Sequence, residues 1–168
     1  MRLVILFAAL TYLALAIETS VPYWIQTRIL IPNLIVILAV DLGLRHHGVV
    51  PAFLAFAIGY ATDAFSGSTL GINAFLITAI YLLTYEISSR LLVTNAAVGA
   101  TFVFLGVIVT ALGALILADG AAGLAAAGPM LPAIALQAAV SALVAPLVFA
   151  FAAILKRMAG LPVTLARE

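Results

Sequence analysis

The chain is 168 residues long, 67% apolar and only 8% charged, with 7 Lys+Arg against 6 Asp+Glu for a formal net charge of +1. A soluble domain is roughly half apolar and a quarter charged, so this composition excludes a water-soluble fold, and it excludes disorder because disordered chains are poor in apolar residues. Scattered cations exclude a basic stripe for nucleic acid, and the absence of cysteine removes disulfides, thiolate zinc sites and iron–sulfur clusters. What remains, at a mean hydropathy of +1.34, is an all-α integral membrane protein.

A helix needs about 20 apolar residues to cross the hydrocarbon core. Six such spans are predicted: Leu3–Thr19, Ile29–Leu44, Val49–Phe65, Ile72–Leu91, Ala96–Ala118 and Leu131–Leu155, forming a single transmembrane domain over residues 1–168. The runs are continuously apolar, without the alternation a barrel strand requires. Arg2 precedes the first run as it would in a signal peptide. However, Glu18 and the bulky Val21-Pro22-Tyr23-Trp24 do not make a small-residue cleavage site, so the run is expected to be retained.

Turn residues divide the spans. Pro22, Pro32, Pro51 and Pro132 are expected between spans or within a first helical turn, where a missing N–H costs little. Ser66-Gly67-Ser68 ends helix 3, and Asp119-Gly120 and Gly128-Pro129 bracket an Ala/Gly-rich loop. Pro146, in mid-span, predicts a kink in helix 6. No internal repeat stands out, which argues against an inverted-repeat transporter.

Cations set the orientation. With six spans, Arg2, Arg45, Arg90, Lys156, Arg157 and Arg167 collect on one side and only Arg28 on the other, which makes both termini cytoplasmic. Tyr23 and Trp24 then belong at the outer interface.

Ionisable groups inside spans are costly, about 2.5–3.5 kcal/mol at the bilayer centre on insertion scales, and each is a functional candidate. Asp41 and Arg45, like Glu86 and Arg90, stand four residues apart in the order that favours an ion pair on a helix. Asp63 has no such partner. It shares a small-residue stripe with Ala55 and Gly59, which puts it inside the bundle. It is either a cap on the turn between helices 3 and 4, bonded to Ser66, Gly67, Ser68 or the start of helix 4, or a contact for a ligand or partner. Gly106/Thr110/Ala114 and Ala138/Ala142 read as packing seams, and Asn73 as an interhelical hydrogen-bonding group. Catalysis and metal binding fail on geometry. His46 and His47 are adjacent and point apart, Ser66 and Ser68 lie at the opposite membrane face from them, and no phosphate loop is present. No cofactor is expected.

The stretch from helix 2 into helix 4 resembles a known family. Pro32-Asn33 opens an apolar run to Leu44-Arg45, and Asp63-Ala64-Phe65-Ser66-Gly67-Ser68-Thr69-Leu70-Gly71-Ile72-Asn73 carries an Asp-x-x-Ser-Gly-x-x-Leu-Gly pattern similar to that of the rod-shape-determining MreD family. Asn33 stands where an Asp is common in that family, and Asp41 is unusual there. The resemblance implies a non-enzymatic scaffold subunit of the bacterial elongation complex in the cytoplasmic membrane, with a fold similar to the substrate-binding S components of energy-coupling-factor vitamin transporters. It implies an MreC-like single-span protein as direct partner, connected onward to RodA, a penicillin-binding transpeptidase and MreB, with lateral peptidoglycan synthesis as the process served. Asp63, Ser66, Gly67, Leu70, Gly71 and Asn73 become the partner- or cavity-forming candidates. The alternative is a vitamin-binding S component, for which Tyr23, Trp24, Gln26 and Asp63 are the available outer ligand groups. A proton-coupled carrier using Asp63 with Asp41 and Glu86 is disfavoured, because Asp63 belongs to the opposite face.

Overall fold

Leu, Ala and Ile dominate the apolar runs, and without water to bond the backbone every N–H and C=O in such a run has to be satisfied internally, which selects helix. The computed structural model describes residues 2–24, 31–67, 69–90 and 96–160, less the side chains at positions 2, 21–24, 96, 124 and 126. These residues form α1 (Arg2–Trp24), α2 (Leu34–Arg45), α3 (Val49–Ser66), α4 (Ile72–Arg90), α5 (Ala96–Asp119) and α6 (Ala121–Met158). Five stretches, Leu3–Ser20, Val49–Ser66, Ile72–Arg90, Ala97–Asp119 and Ala127–Met158, are long and apolar enough to cross a membrane, so the protein is a multi-pass membrane protein.

The exception is α2. Its 12 residues reach about 18 Å at 1.5 Å per residue, against a hydrocarbon core of about 30 Å. It is also the most enclosed helix, with every residue from Ile35 to Gly43 buried. A helix apolar on all sides belongs inside, and α2 packs against each of the other five. By contrast, α3 and α6 expose apolar faces, with Phe53 71% and Leu143 83% accessible.

Contacts at the two ends fix the direction of each helix. At one end the Phe7 ring of α1 meets His46 edge-on at 6.1 Å and lies 5.1 Å from Lys156 Nζ of α6. Here too the Tyr81 hydroxyl lies 3.2 Å from the carbonyl oxygens of His46 and Gly48, and Ser88 Oγ donates to Gly43 O at 3.2 Å. At the other end Glu18 of α1 meets the start of α2, Asp63 of α3 meets the start of α4, and Gln137 of α6 meets Ile31. The single residue Gly120, at φ +58°, joins α5 to α6. The chain therefore runs up and down, with α2 carrying it back from the Glu18 end to the Arg45 end.

Three expectations change. Helix 2 begins at Leu34 rather than Ile29, since Asn33 caps it there; positions 29 and 30 lie outside the described residues. Pro22 is the third-last residue of α1 rather than a linker residue. The Ala/Gly-rich stretch after Asp119 is not a loop: α6 starts at Ala121 and encloses Pro129, Pro132 and Pro146. Alanine is the best helix former, and in a membrane helix the backbone groups a proline frees are re-satisfied by neighbours and local adjustment. Of the other residues singled out from sequence, Tyr23 and Trp24 lie outside the described side chains, and Gln26, Arg28, Ser68, Leu91 and Arg167 outside the described residues.

Small residues let the helices close. A Cβ added at Gly59 would sit 2.5 Å from Asn73 O and 2.6 Å from Ala74 Cα, so α3 crosses the first turn of α4 at backbone contact. Gly128, by contrast, faces open space. Gly59→Ala is expected to destabilise the protein by about 1–3 kcal/mol, as overpacking does, whereas Gly128→Ala leaves unfolding unchanged or slightly more costly. Denaturant unfolding of the two variants in detergent checks this.

Candidate functional site

The start of α2 is buried, and its first N–H groups have no intrahelical acceptor. Three helices supply what is missing. Glu18 of α1 accepts from Leu34 N at 2.6 Å and Ile35 N at 3.4 Å through the same oxygen, Oε1. Asn33 caps its own helix, with Oδ1 accepting from Val36 N at 3.0 Å. From α6, Ser141 Oγ accepts from Asn33 N at 2.9 Å while donating to Gln137 O, and Gln137 Nε2 donates to Ile31 O at 3.3 Å. A carboxylate at the positive end of the helix dipole adds to the hydrogen bonds.

Beside this junction lies a cavity of about 410 Å³, walled by Leu15, Glu18 and Thr19 of α1, Ile31, Pro32 and Asn33, Thr62, Phe65 and Ser66 of α3, and Gln137 of α6. Six of those ten side chains are polar, which is unusual for a space between membrane helices, where polar groups are expensive unless they work.

The residues singled out from sequence divide into those of the Asp63 cap and those outside it. Asp63 is fully buried, and its carboxylate accepts hydrogen bonds from Gly71 N at 2.9 Å, Asn73 N at 3.2 Å, Asn73 Nδ2 at 2.9 Å and Ala74 N at 3.2 Å. It thus caps α4 from α3, and Gly71, at φ +101°, turns the chain so that those donors converge. Asn73 is the interhelical hydrogen-bonding group expected of it. Ser66 lines the cavity, Gly67 ends α3 in the left-handed conformation, and Leu70 is 63% exposed, away from the cap.

A second polar cluster closes the other end of α2. Asp41 and Lys156 are both fully buried and form an ion pair joining α2 to α6, and Arg45 Nε lies 2.8 Å from the second Asp41 oxygen. Arg45 is thus the i,i+4 partner expected for Asp41, and Arg90 Nε likewise bonds Glu86 Oε1 at 2.9 Å. Next to the cluster, burial, then the Lys156 and Arg45 cations, push His46 down to about 4 against the opposing pull of Asp41. Its ring is therefore neutral near pH 7. His47 turns to another helix, edge-on to Tyr85 at 4.8 Å.

Sequence reasoning missed Lys156, which is 115 positions from Asp41 and looks like one more interfacial cation. Glu18 entered there only as a residue unlike a cleavage site and was not assigned to α2. Pro32-Asn33 ahead of an apolar run is a helix-start signal, and it does point to that junction.

The model of the family described as rod shape-determining protein MreD matches residues 1–155. No curated protein and no solved structure matches the chain, so the S-component likeness has no solved structure behind it. The comparisons lend no support to the vitamin-binding alternative.

Removing one partner of a buried ion pair leaves an uncompensated charge, at a cost of about 3–5 kcal/mol, whereas an apolar pair of similar volume is often neutral. Lys156→Met leaves Arg45 as a partner for Asp41, so it is expected to lose stability at the lower end of that range, and Asp41→Leu combined with Lys156→Met to recover most of it. Equilibrium unfolding of the single and double variants measures the difference.

Proposed function

The chain belongs to the MreD family, that of a cell-shape membrane protein of the rod complex, and from that premise we propose that it acts as a non-enzymatic scaffold binding an MreC-like single-span protein. Through that partner it connects to RodA, a penicillin-binding transpeptidase and MreB, and supports lateral peptidoglycan synthesis. The observation that carries this reading is where the intramembrane acids go. Glu18 caps α2, Asp41 pairs with Lys156 and Arg45, and Asp63 caps α4. Acid–base or relay chemistry needs a group held ready for a substrate, and these are committed to holding helices together. What the exterior offers is contact surface. Phe53, Phe56 and Tyr60 stand exposed along α3, with the last two rings stacked at 6.4 Å.

In this reading α2, entered through Ile31 to Asn33, completes a sixth crossing of the bacterial inner membrane. The end bearing Arg45, Arg90, Lys156 and Arg157 faces the cytoplasm, as the excess of cations favours, together with both termini. The cavity and the turn from Asp63 to Asn73 face outward, and that turn, with Ser66, Gly67, Leu70 and Gly71, forms part of the surface the partner meets.

Affinity purification of the tagged full chain from its source membranes is expected to bring down an MreC-like protein, and depletion of the chain to round the cells. Leu70→Asp alters an exposed contact without touching the Asp63 cap, so it is expected to cut partner recovery about tenfold at an unchanged melting temperature. Wild-type protein recovered without such a partner from rod-shaped cells would contradict the scaffold reading. Full recovery with Leu70→Asp would move the contact away from this turn.

A further inference from the structure

The cavity beside α2 has a one-sided hydrogen-bonding character. Glu18 uses only Oε1 on α2, and among the described residues Oε2 has no protein partner. Gln137 gives one of its two amide N–H groups to Ile31 O, and its Oε1 is an acceptor without a partner among the described residues. The hydroxyls of Thr19 and Thr62 donate back to their own helices, to Leu15 O at 2.7 Å and Ile58 O at 3.0 Å, so what they retain is lone pairs. Against these acceptors stand the Asn33 Nδ2 amide and the second N–H of Gln137. Among the described residues, one carboxylate and no cationic side chain line the space.

An acceptor-rich, anionic cavity at membrane depth selects a donor that carries positive charge. A primary ammonium has three N–H donors and no acceptor. Anions are excluded by Glu18, and a trimethylated ammonium brings charge without donors. We propose that this cavity is a binding site for a primary ammonium group, presented either by the ethanolamine headgroup of a membrane lipid or by a free small amine. Glu18 Oε2 takes the charge, and the Gln137 and threonine oxygens take the remaining N–H groups. Leu15, Ile31 and Pro32 supply an apolar wall for the attached carbons. Phe65 lines the cavity while remaining 64% exposed, so apolar surface continues from the site to the outside of the bundle, where acyl chains lie. The volume of about 410 Å³ is within the range of small-ligand pockets.

The test uses the purified full chain in nanodiscs holding equal phosphatidylethanolamine, phosphatidylcholine and phosphatidylglycerol, with retained lipid counted by native mass spectrometry. A second arm titrates free ethanolamine, with choline as control, into nanodiscs of phosphatidylglycerol alone. Glu18→Gln keeps an acceptor for α2 but removes the charge, and Thr62→Phe fills the cavity without touching the cap. Retention of phosphatidylethanolamine about tenfold over phosphatidylcholine, lost in either folded variant, supports the lipid source. Saturable ethanolamine binding with the same dependence, and no lipid preference, supports the free amine. Binding of neither probe, or binding unchanged in both variants, overturns the proposal.

Discussion

A helix too short to cross the membrane is buried at its centre, and the ends of α2 are the constraint on which the rest of this structure depends. An isolated helix leaves four N–H and four C=O groups unbonded, and each such group is expensive inside a bundle of apolar helices. Long helices push their ends out to the interface. The 12 residues of α2 do not reach that far, so the protein brings partners to the first turn instead. The donors at its start go to Glu18 and Asn33, and the Asn33 N–H goes to Ser141. The charge in its last turns is balanced between Asp41, Arg45 and Lys156. Each cap comes partly from a different helix, which makes α1, α2 and α6 one unit.

The same economy governs the surrounding packing. With polar partners concentrated at the two ends, the middle of the bundle is held by close approach. Val36 and Val40 are fully buried, Val107 and Ile80 nearly so, and Gly106 faces Val36 with room for little more than hydrogen. Where α3 meets α4 the device is repeated in smaller form. Gly59 permits backbone contact, and Asp63, one turn later, gathers the N–H groups that open α4. Buried acids in this protein are thus joints, and the scaffold reading draws on that. Among the described residues Glu18 Oε2 is left without a protein partner, beside the acceptor-rich cavity.

Local features were legible in the sequence, and distant ones were not. Composition placed the chain in the membrane, and the pairs Asp41–Arg45 and Glu86–Arg90 follow from four-residue spacing on a helix. Asp63 was readable as a buried acid at a turn, with the start of helix 4 among its expected partners. The structure adds what the sequence leaves open, that Gly71, Asn73 and Ala74 are donors to its carboxylate. Lys156 was unreadable because nothing local distinguishes a buried lysine from an interfacial one at a helix end. The early start of α6 was missed because Gly128-Pro129 signals a turn in a soluble chain, where water can bond the backbone groups a broken helix frees, whereas in a membrane the helix is the backbone's remaining source of partners. The shortness of α2 was hidden by Ile29-Leu30-Ile31, which extend its apolar run without extending the described helix.

Hydrogen exchange in nanodiscs reaches the central claim most directly. The first-turn amides of α2, Leu34, Ile35 and Val36, have side-chain acceptors, whereas α3 starts from Gly48 with no side-chain cap and with Val49 86% exposed. If the caps hold α2 in the centre, those three amides exchange as slowly as Val40 in mid-helix, and at least about tenfold more slowly than Val49 and Val50. Exchange of Leu34, Ile35 and Val36 at the rate of Val49 and Val50, with Val40 still protected, would contradict the account.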